Sequence, residues 1–102
     1  MMSTYAEEIN ASRRLAILLA LGFAPGYTLN RTALRRFVER TGYITSVDLL
    51  NTELSWLAEM GYIDLLELDA VYLTARGEDV SLGRIQVPGV RRPSPGETNG
   101  PR

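Results

Sequence analysis

TSVDLLNTELSWLAEMG, residues 45–61, decides the fold. Thr45 followed three residues later by Asp48 resembles a capping box in which Asp replaces the usual Glu or Gln, and Gly61 marks a stop. At 100° per residue Val47, Leu50, Leu54 and Leu57 share one arc, which Leu49, Trp56 and Met60 extend. The opposite arc carries Asp48, Asn51, Thr52, Ser55 and Glu59. One arc needs a core; the other is left for a partner. At this spacing Trp56 reads as core or interface rather than as part of a ligand pocket.

Immediately upstream, residues 31–41 predict a second helix that buries Leu34, Phe37 and Val38 at spacings of three and four and stops at Gly42. Arg31 with Arg35, and Arg36 with Arg40, form two i,i+4 basic ridges beside that stripe. Two helices joined by a tight Gly-containing turn make a helix-turn-helix. The preceding FAPGYTLN, residues 23–30, reads as a turn, with Pro25-Gly26 at its centre and Thr28 or Asn30 able to cap the next helix.

Further out, residues 6–21 predict a first helix with Ser3 or Thr4 as its cap. From Leu15 onward it is apolar on every side, so it is either central to the core or shared with a second copy. The small size of the domain favours the second, a homodimer meeting at Ile17, Leu18 and Leu21. The apolar run in RRLAILLALGFA, residues 13–24, is too short to span a bilayer. Glu7 and Glu8 before it and Pro25 after it argue against a signal peptide, so a cytoplasmic protein is expected.

On the other side, YIDLLELDAVYLT, residues 62–74, is rich in β-formers and breaks near Leu68-Asp69-Ala70. It reads as a hairpin of about 62–67 and 71–73, after which Thr74 caps a short closing helix. From Arg84 the chain changes character: RIQVPGVRRPSPGETNGPR holds four of the five Pro and three of the nine Gly. The expected organisation is one domain, residues 1–84, and an extended or disordered tail, residues 85–102, whose Arg91 and Arg92 are candidate partner contacts or a basic arm for a minor groove. The fold class is mainly α with a small β-hairpin: a winged helix-turn-helix of three helices, a two-stranded wing and a short C-terminal helix.

A chain of 102 residues, 45% hydrophobic, supports one core. It has no Cys and no His, which removes disulfides, Cys/His zinc sites, Cys nucleophiles and His acid-base chemistry together. With no Gly-rich phosphate loop either, neither an enzyme nor a cofactor nor a metal is expected. All eleven basic residues are Arg, which suits planar carboxylate or phosphate partners but also follows from codon usage in a GC-rich genome. Residues 1–40 carry six Arg and three Glu; residues 41–75 carry six acids and no base; residues 76–102 carry five Arg and three acids. Any nucleic-acid surface must therefore come mainly from the ends of the chain.

The segment LAEMGYIDLLELDAVYLTARG, residues 57–77, is similar to the end of the third helix plus the wing in the ArsR, MarR and PadR groups of regulators, where L-x-x-x-G-x-I enters the hairpin and L-T-x-x-G leaves it. Residues from about 14 to 96, including APGY, LTARGEDV and VPGVRRPSP, more closely resemble a family of small proteins encoded by Mu-like prophages. That resemblance implies a phage-type DNA-binding transcriptional regulator. The metal-sensing ArsR members use Cys pairs or His and acid clusters, which this chain lacks. As a reader of double-stranded DNA, the chain would place Asp48, Asn51, Thr52 and Ser55 on base edges, Asn51 suiting adenine and Asp48 cytosine, with Arg31, Arg35, Arg36, Arg40 and Arg76 on phosphates. The competing expectation is an adaptor of the same fold that contacts a phage protein, because a third helix and hairpin carrying Asp48, Glu53, Glu59, Asp64, Glu67 and Asp69 oppose the approach of a polyanion.

Overall fold

The computed structural model of the chain describes residues 4–99. The first helix, α1 (Tyr5–Phe23), begins at a complete capping box: the Thr4 hydroxyl accepts from Glu7 N, and the Glu7 carboxylate reaches back to Thr4. Ser3, the other candidate cap, lies outside the described residues. Leu15, Ile17, Leu18 and Leu21 are all fully buried, so α1 runs through the middle of the core. The dimer contact expected of Ile17, Leu18 and Leu21 is therefore corrected. Leu34 and Val38, Leu50, Leu54 and Leu57, and Val71 and Leu73 complete the same core and consume the apolar surface on every side of α1.

A turn at Pro25–Tyr27, with Gly26 at φ 65°, leads into a short strand, β1 (Thr28–Asn30). Sequence reading took this stretch wholly as a turn. Three residues carry too little alternation to signal a strand, and what holds them is antiparallel pairing of Thr28 to Tyr72, Leu29 to Val71 and Asn30 to Ala70. Asn30 then caps α2 (Arg31–Arg40) by accepting from Ala33 N. After Gly42, at φ 107°, the next helix is α3 (Val47–Glu59). Its cap is Ser46, which accepts from Leu49 N, and not Thr45, whose buried hydroxyl instead donates to Tyr43 O.

The hairpin comprises β2 (Ile63–Leu65) and β3 (Ala70–Leu73), and the sheet order β1-β3-β2 makes three antiparallel strands where two were expected. Thr74 caps α4 (Ala75–Ser81) through Gly77 N. Here α4 passes so close to the residues leading into β2 that a Cβ on Gly77 would run into the Tyr62 carbonyl oxygen. The molecule is mainly helical with a small three-stranded sheet. Among the described residues no helix is long and apolar enough to cross a membrane.

Residues 84–99 have almost no regular structure, yet they pack. Val90 is buried, Arg91 N donates to Ala11 O of α1, and Gly89, at φ 88°, lies flat on Trp56, where a Cβ would sit 2.8 Å from the indole. The expectation of an extended or disordered tail missed this docking, which runs through a handful of specific contacts rather than a periodic apolar face. Residues 100–102, the end of that tail, lie outside the described residues.

Candidate functional site

Three of the residues on the outward arc of α3, Asp48, Thr52 and Ser55, are exposed, and Glu59 joins them. Asn51 is half-buried, and its side-chain carbonyl accepts from the Arg31 guanidinium. Adenine recognition by Asn needs one donor and one acceptor; the Arg31 guanidinium takes one of the two lone pairs of the Asn51 oxygen and fixes its orientation, so a base would have to share that acceptor. The Thr52 hydroxyl donates to Asp48 O, one turn back.

Of the five arginines proposed for phosphate, two are engaged within the chain. Arg31 holds Asn51 and lies 3.8 Å from Asp69; Arg35 donates to Thr45 O at 2.8 Å and lies 3.9 Å from Glu39. Arg36, Arg40 and Arg76 are exposed and form no ion pair among the described residues, though Arg40 lies over the Phe37 ring and Arg76 over the Tyr62 ring. Together Arg31, Thr32, Arg35, Val47, Asn51 and Asp69 line a depression of about 250 Å³ where α2, α3 and the hairpin turn meet.

The hairpin turn places Leu68 and Asp69 both at φ 60°, with Ala70 N donating to Glu67 O, the geometry of a type I′ turn. Because Asn30 pairs with Ala70 and Arg31 N donates to Asp69 O, the turn ends level with the start of α2 and projects no further. It exposes Leu68 at 95%, and Leu65 and Leu66 beside it are also exposed. At the other edge of the depression Val47 is 57% exposed, and Ile44, three residues before it in the chain, is 87% exposed. Val47 was expected in the buried arc of α3; its position in the first turn lifts it clear of the core.

Sequence reading missed the polar centre of the inward face. Glu53, 3% exposed, sits between Leu50 and Leu57 and is held by Arg14, whose Nε and Nη2 meet its two carboxylate oxygens at 3.0 and 3.3 Å. The Arg14 guanidinium also stacks on Trp56 and donates from Nη1 to Gly89 O, tying α1, α3 and the C-terminal segment together. A signal was available, since Glu53 falls at i+3 from Leu50 and i−4 from Leu57. With Glu53 and Asp69 paired, four of the six acids between residues 41 and 75 remain exposed and without an ion pair among the described residues: Asp48, Glu59, Asp64 and Glu67.

Arg91, proposed as a free contact of the tail, is folded back. Its Nε donates to Ser12 Oγ, and its Nη1 and Nη2 make a bidentate pair with Glu97 at 3.0 and 2.9 Å. That pair and the N–H of Ser94 hold the Glu97 carboxyl below its ordinary value, and Glu97 in turn raises Arg91. Arg92, next to it, is exposed.

No known protein-family model matches the chain, and no solved structure does. Two relatives match it. An uncharacterized protein of Haemophilus influenzae is 33% identical over 72 residues, covering 71% of this chain and 70% of its own. The uncharacterized protein gp26 of Escherichia phage Mu is 34% identical over 90 residues, covering 85% of this chain and 93% of its own. With that identity over nearly the whole of both chains, the protein belongs to the family of phage Mu gp26.

Proposed function

We propose that the chain is a winged-helix module of a Mu-like phage that works as an adaptor, docking a basic, apolar-bearing segment of another phage protein against α3 and the hairpin turn. The order helix, strand, helix, helix, hairpin, with β1 zipped onto β3, supports the winged-helix reading. One observation carries the choice of partner. The surface that would meet DNA combines the exposed aliphatic side chains Ile44, Val47 and Leu68 with the acids Asp48, Glu59 and Glu67, which form no ion pair among the described residues, while Arg31 and Arg35 are held by internal bonds. Aliphatic side chains gain from burial against protein, and unneutralised acids oppose the counterion release that drives binding to phosphate.

DNA-binding regulation is the second reading, favoured by Arg36, Arg40 and Arg76, three exposed cations with no ion pair among the described residues. Fluorescence anisotropy with a short mixed-sequence duplex at about 50 mM salt separates the two. The adaptor predicts no binding below about 100 µM, where non-specific DNA binders register. Binding below that, weakened by Arg36→Ala with Arg40→Ala whatever the sequence, would overturn it. In cells carrying a Mu-like phage, a photo-crosslinker at Thr52 should then yield one nuclease-resistant protein adduct that Val47→Asp abolishes. A nuclease-sensitive adduct returns the surface to DNA.

A further inference from the structure

The depression of about 250 Å³ where α2, α3 and the hairpin turn meet has a charge opposite to that of the surface around it. Its charged lining is two guanidiniums, Arg31 and Arg35, against one carboxylate, Asp69. Each guanidinium is held by one internal hydrogen bond, Arg31 Nη1 on Asn51 Oδ1 and Arg35 Nε on Thr45 O, which fixes it but uses a single one of its N–H donors. The acids paired with them, Asp69 at 3.8 Å and Glu39 at 3.9 Å, stay beyond hydrogen-bond distance, and the Asp69 side chain is 83% exposed. Arg31 Nε is buried with no hydrogen-bond partner among the described residues. The fold thus leaves both cations short of acceptors.

We propose that the depression seats the carboxylate of one Asp or Glu carried by the partner segment, as the anchor of its docking. The inference rests on the adaptor reading and adds what that otherwise basic segment must carry. The guanidiniums are fixed but not satisfied, so their remaining donors are oriented in advance, and a carboxylate, with two charged acceptor oxygens, answers them better than a neutral amide or hydroxyl. The volume falls below the roughly 300–1000 Å³ of sites for drug-sized molecules, which suits one inserted side chain. Val47 and Leu50, also in the lining, offer apolar contact to its methylene groups.

A DNA phosphate would address the same donors, but a duplex brings a further charge for about every 1.7 Å of its axis. Asp69 in the lining and Asp48, next to Val47, oppose those further charges. A peptide brings a single carboxylate, and its basic residues meet the same acids.

NMR titration of the full chain with N-acetyl-glutamate amide tests the seat, with N-acetyl-glutamine amide as its neutral copy. The acid should shift the side-chain N–H resonances of Arg31, Arg35 and Asn51 saturably with a Kd below about 10 mM, the scale for so few atoms. It should bind at least about fivefold more tightly than the neutral copy. Asp69→Asn, which removes the competing carboxylate, should tighten it at least about twofold, and Arg31→Met should weaken it at least about tenfold, with Arg84→Met unchanged. Equal binding of the two probes overturns the proposal, as does an affinity unchanged in Asp69→Asn or in an Arg31→Met chain whose amide spectrum retains the fold. So does displacement of the acid by the mixed-sequence duplex below about 100 µM, which would make the depression a seat for backbone phosphate. In phage-bearing cells the Thr52 adduct should fall at least about fivefold in Arg31→Met. A full yield there overturns the anchor and leaves the adaptor standing; no protein adduct in the unsubstituted chain removes the adaptor, and the anchor with it.

Discussion

The hairpin turn at residues 67–70 and the C-terminal segment from residue 84 are both tight or irregular backbone on the surface, and they are held in opposite ways. The turn is made by local geometry, two residues at positive φ and a single bond from Arg31 N, and its one ion pair, Arg31–Asp69, is largely exposed at Asp69. The C-terminal segment has little local geometry and is held by distant partners: Ala11, Ser12, Arg14 and Trp56, all more than thirty residues away. Regular structure and tertiary anchoring are thus separable, and the irregular segment is the better anchored of the two.

The largest test of that difference is Arg14→Met. It leaves Glu53 buried without a partner, and breaking a buried pair from one side costs about 3–5 kcal/mol. Urea denaturation should register that loss, and Arg14→Met with Glu53→Leu should recover most of it, because the penalty belongs to the uncompensated charge. On the turn, Asp69→Asn should change stability by less than about 1 kcal/mol, as expected for an exposed pair. Comparable losses from the two would erase the distinction.

Two glycines sharpen it further. Gly77→Ala forces a methyl group against backbone, the Tyr62 carbonyl, which cannot move without shifting α4, and about 3 kcal/mol is expected. Gly89→Ala meets the edge of the Trp56 side chain, which can yield, but it also puts a side chain at φ 88°. About 1–2 kcal/mol should follow, together with a changed Trp56 fluorescence as the segment lifts from the indole. An unaltered Trp56 signal would mean that the segment is not held there.

The helices were legible because capping and 3.6-residue periodicity are local: Thr74 caps as expected, and Thr4 and Asn30 are each one of the two caps their spacing allowed. The third helix began one residue later than the Thr45–Asp48 pattern implied, since Ser46 competes for the same role. Three features were not legible. Strand β1 exists only through its pairing with β3, the buried Glu53, whose place on the inward face its spacing did signal, is partnered by Arg14 from 39 residues away, and the C-terminal segment docks through single contacts. Each depends on a partner far along the chain, which periodicity does not see. The charge map of the candidate surface was legible in its sign but not in its distribution, because two of its acids and two of its arginines turned out to be paired within the fold.

A smaller effect is expected at the tip of the hairpin. Leu68 is almost wholly exposed at φ 60°, where a side chain costs about 1–2 kcal/mol and where Asn is better tolerated. Leu68→Asn should therefore stabilise the fold by about 1 kcal/mol in urea denaturation. If the proposed adaptor surface is used, the same variant should lose the Thr52 crosslink while gaining stability. Retaining both would leave Leu68 without a role in the contact.

The smallest effect falls on the latch of the C-terminal segment. Arg91 holds Glu97 below its ordinary value of 4.5 chiefly through their side-chain hydrogen bonds, against an opposing contribution from burial. A carboxyl whose value is lowered on folding stabilises the fold fully above about 4.5, and that contribution is lost as the pH falls through the lowered value. About a third of each side chain is exposed, so solvent screens the pair and the effect is modest. Acid titration should shift the resonances of Ser12 and Ser94, which flank Arg91, below pH 4.5. Glu97→Gln should abolish that shift, because the amide cannot titrate; an identical shift in the variant would assign the acid response to another group and leave the segment held by Arg14 and Trp56 alone.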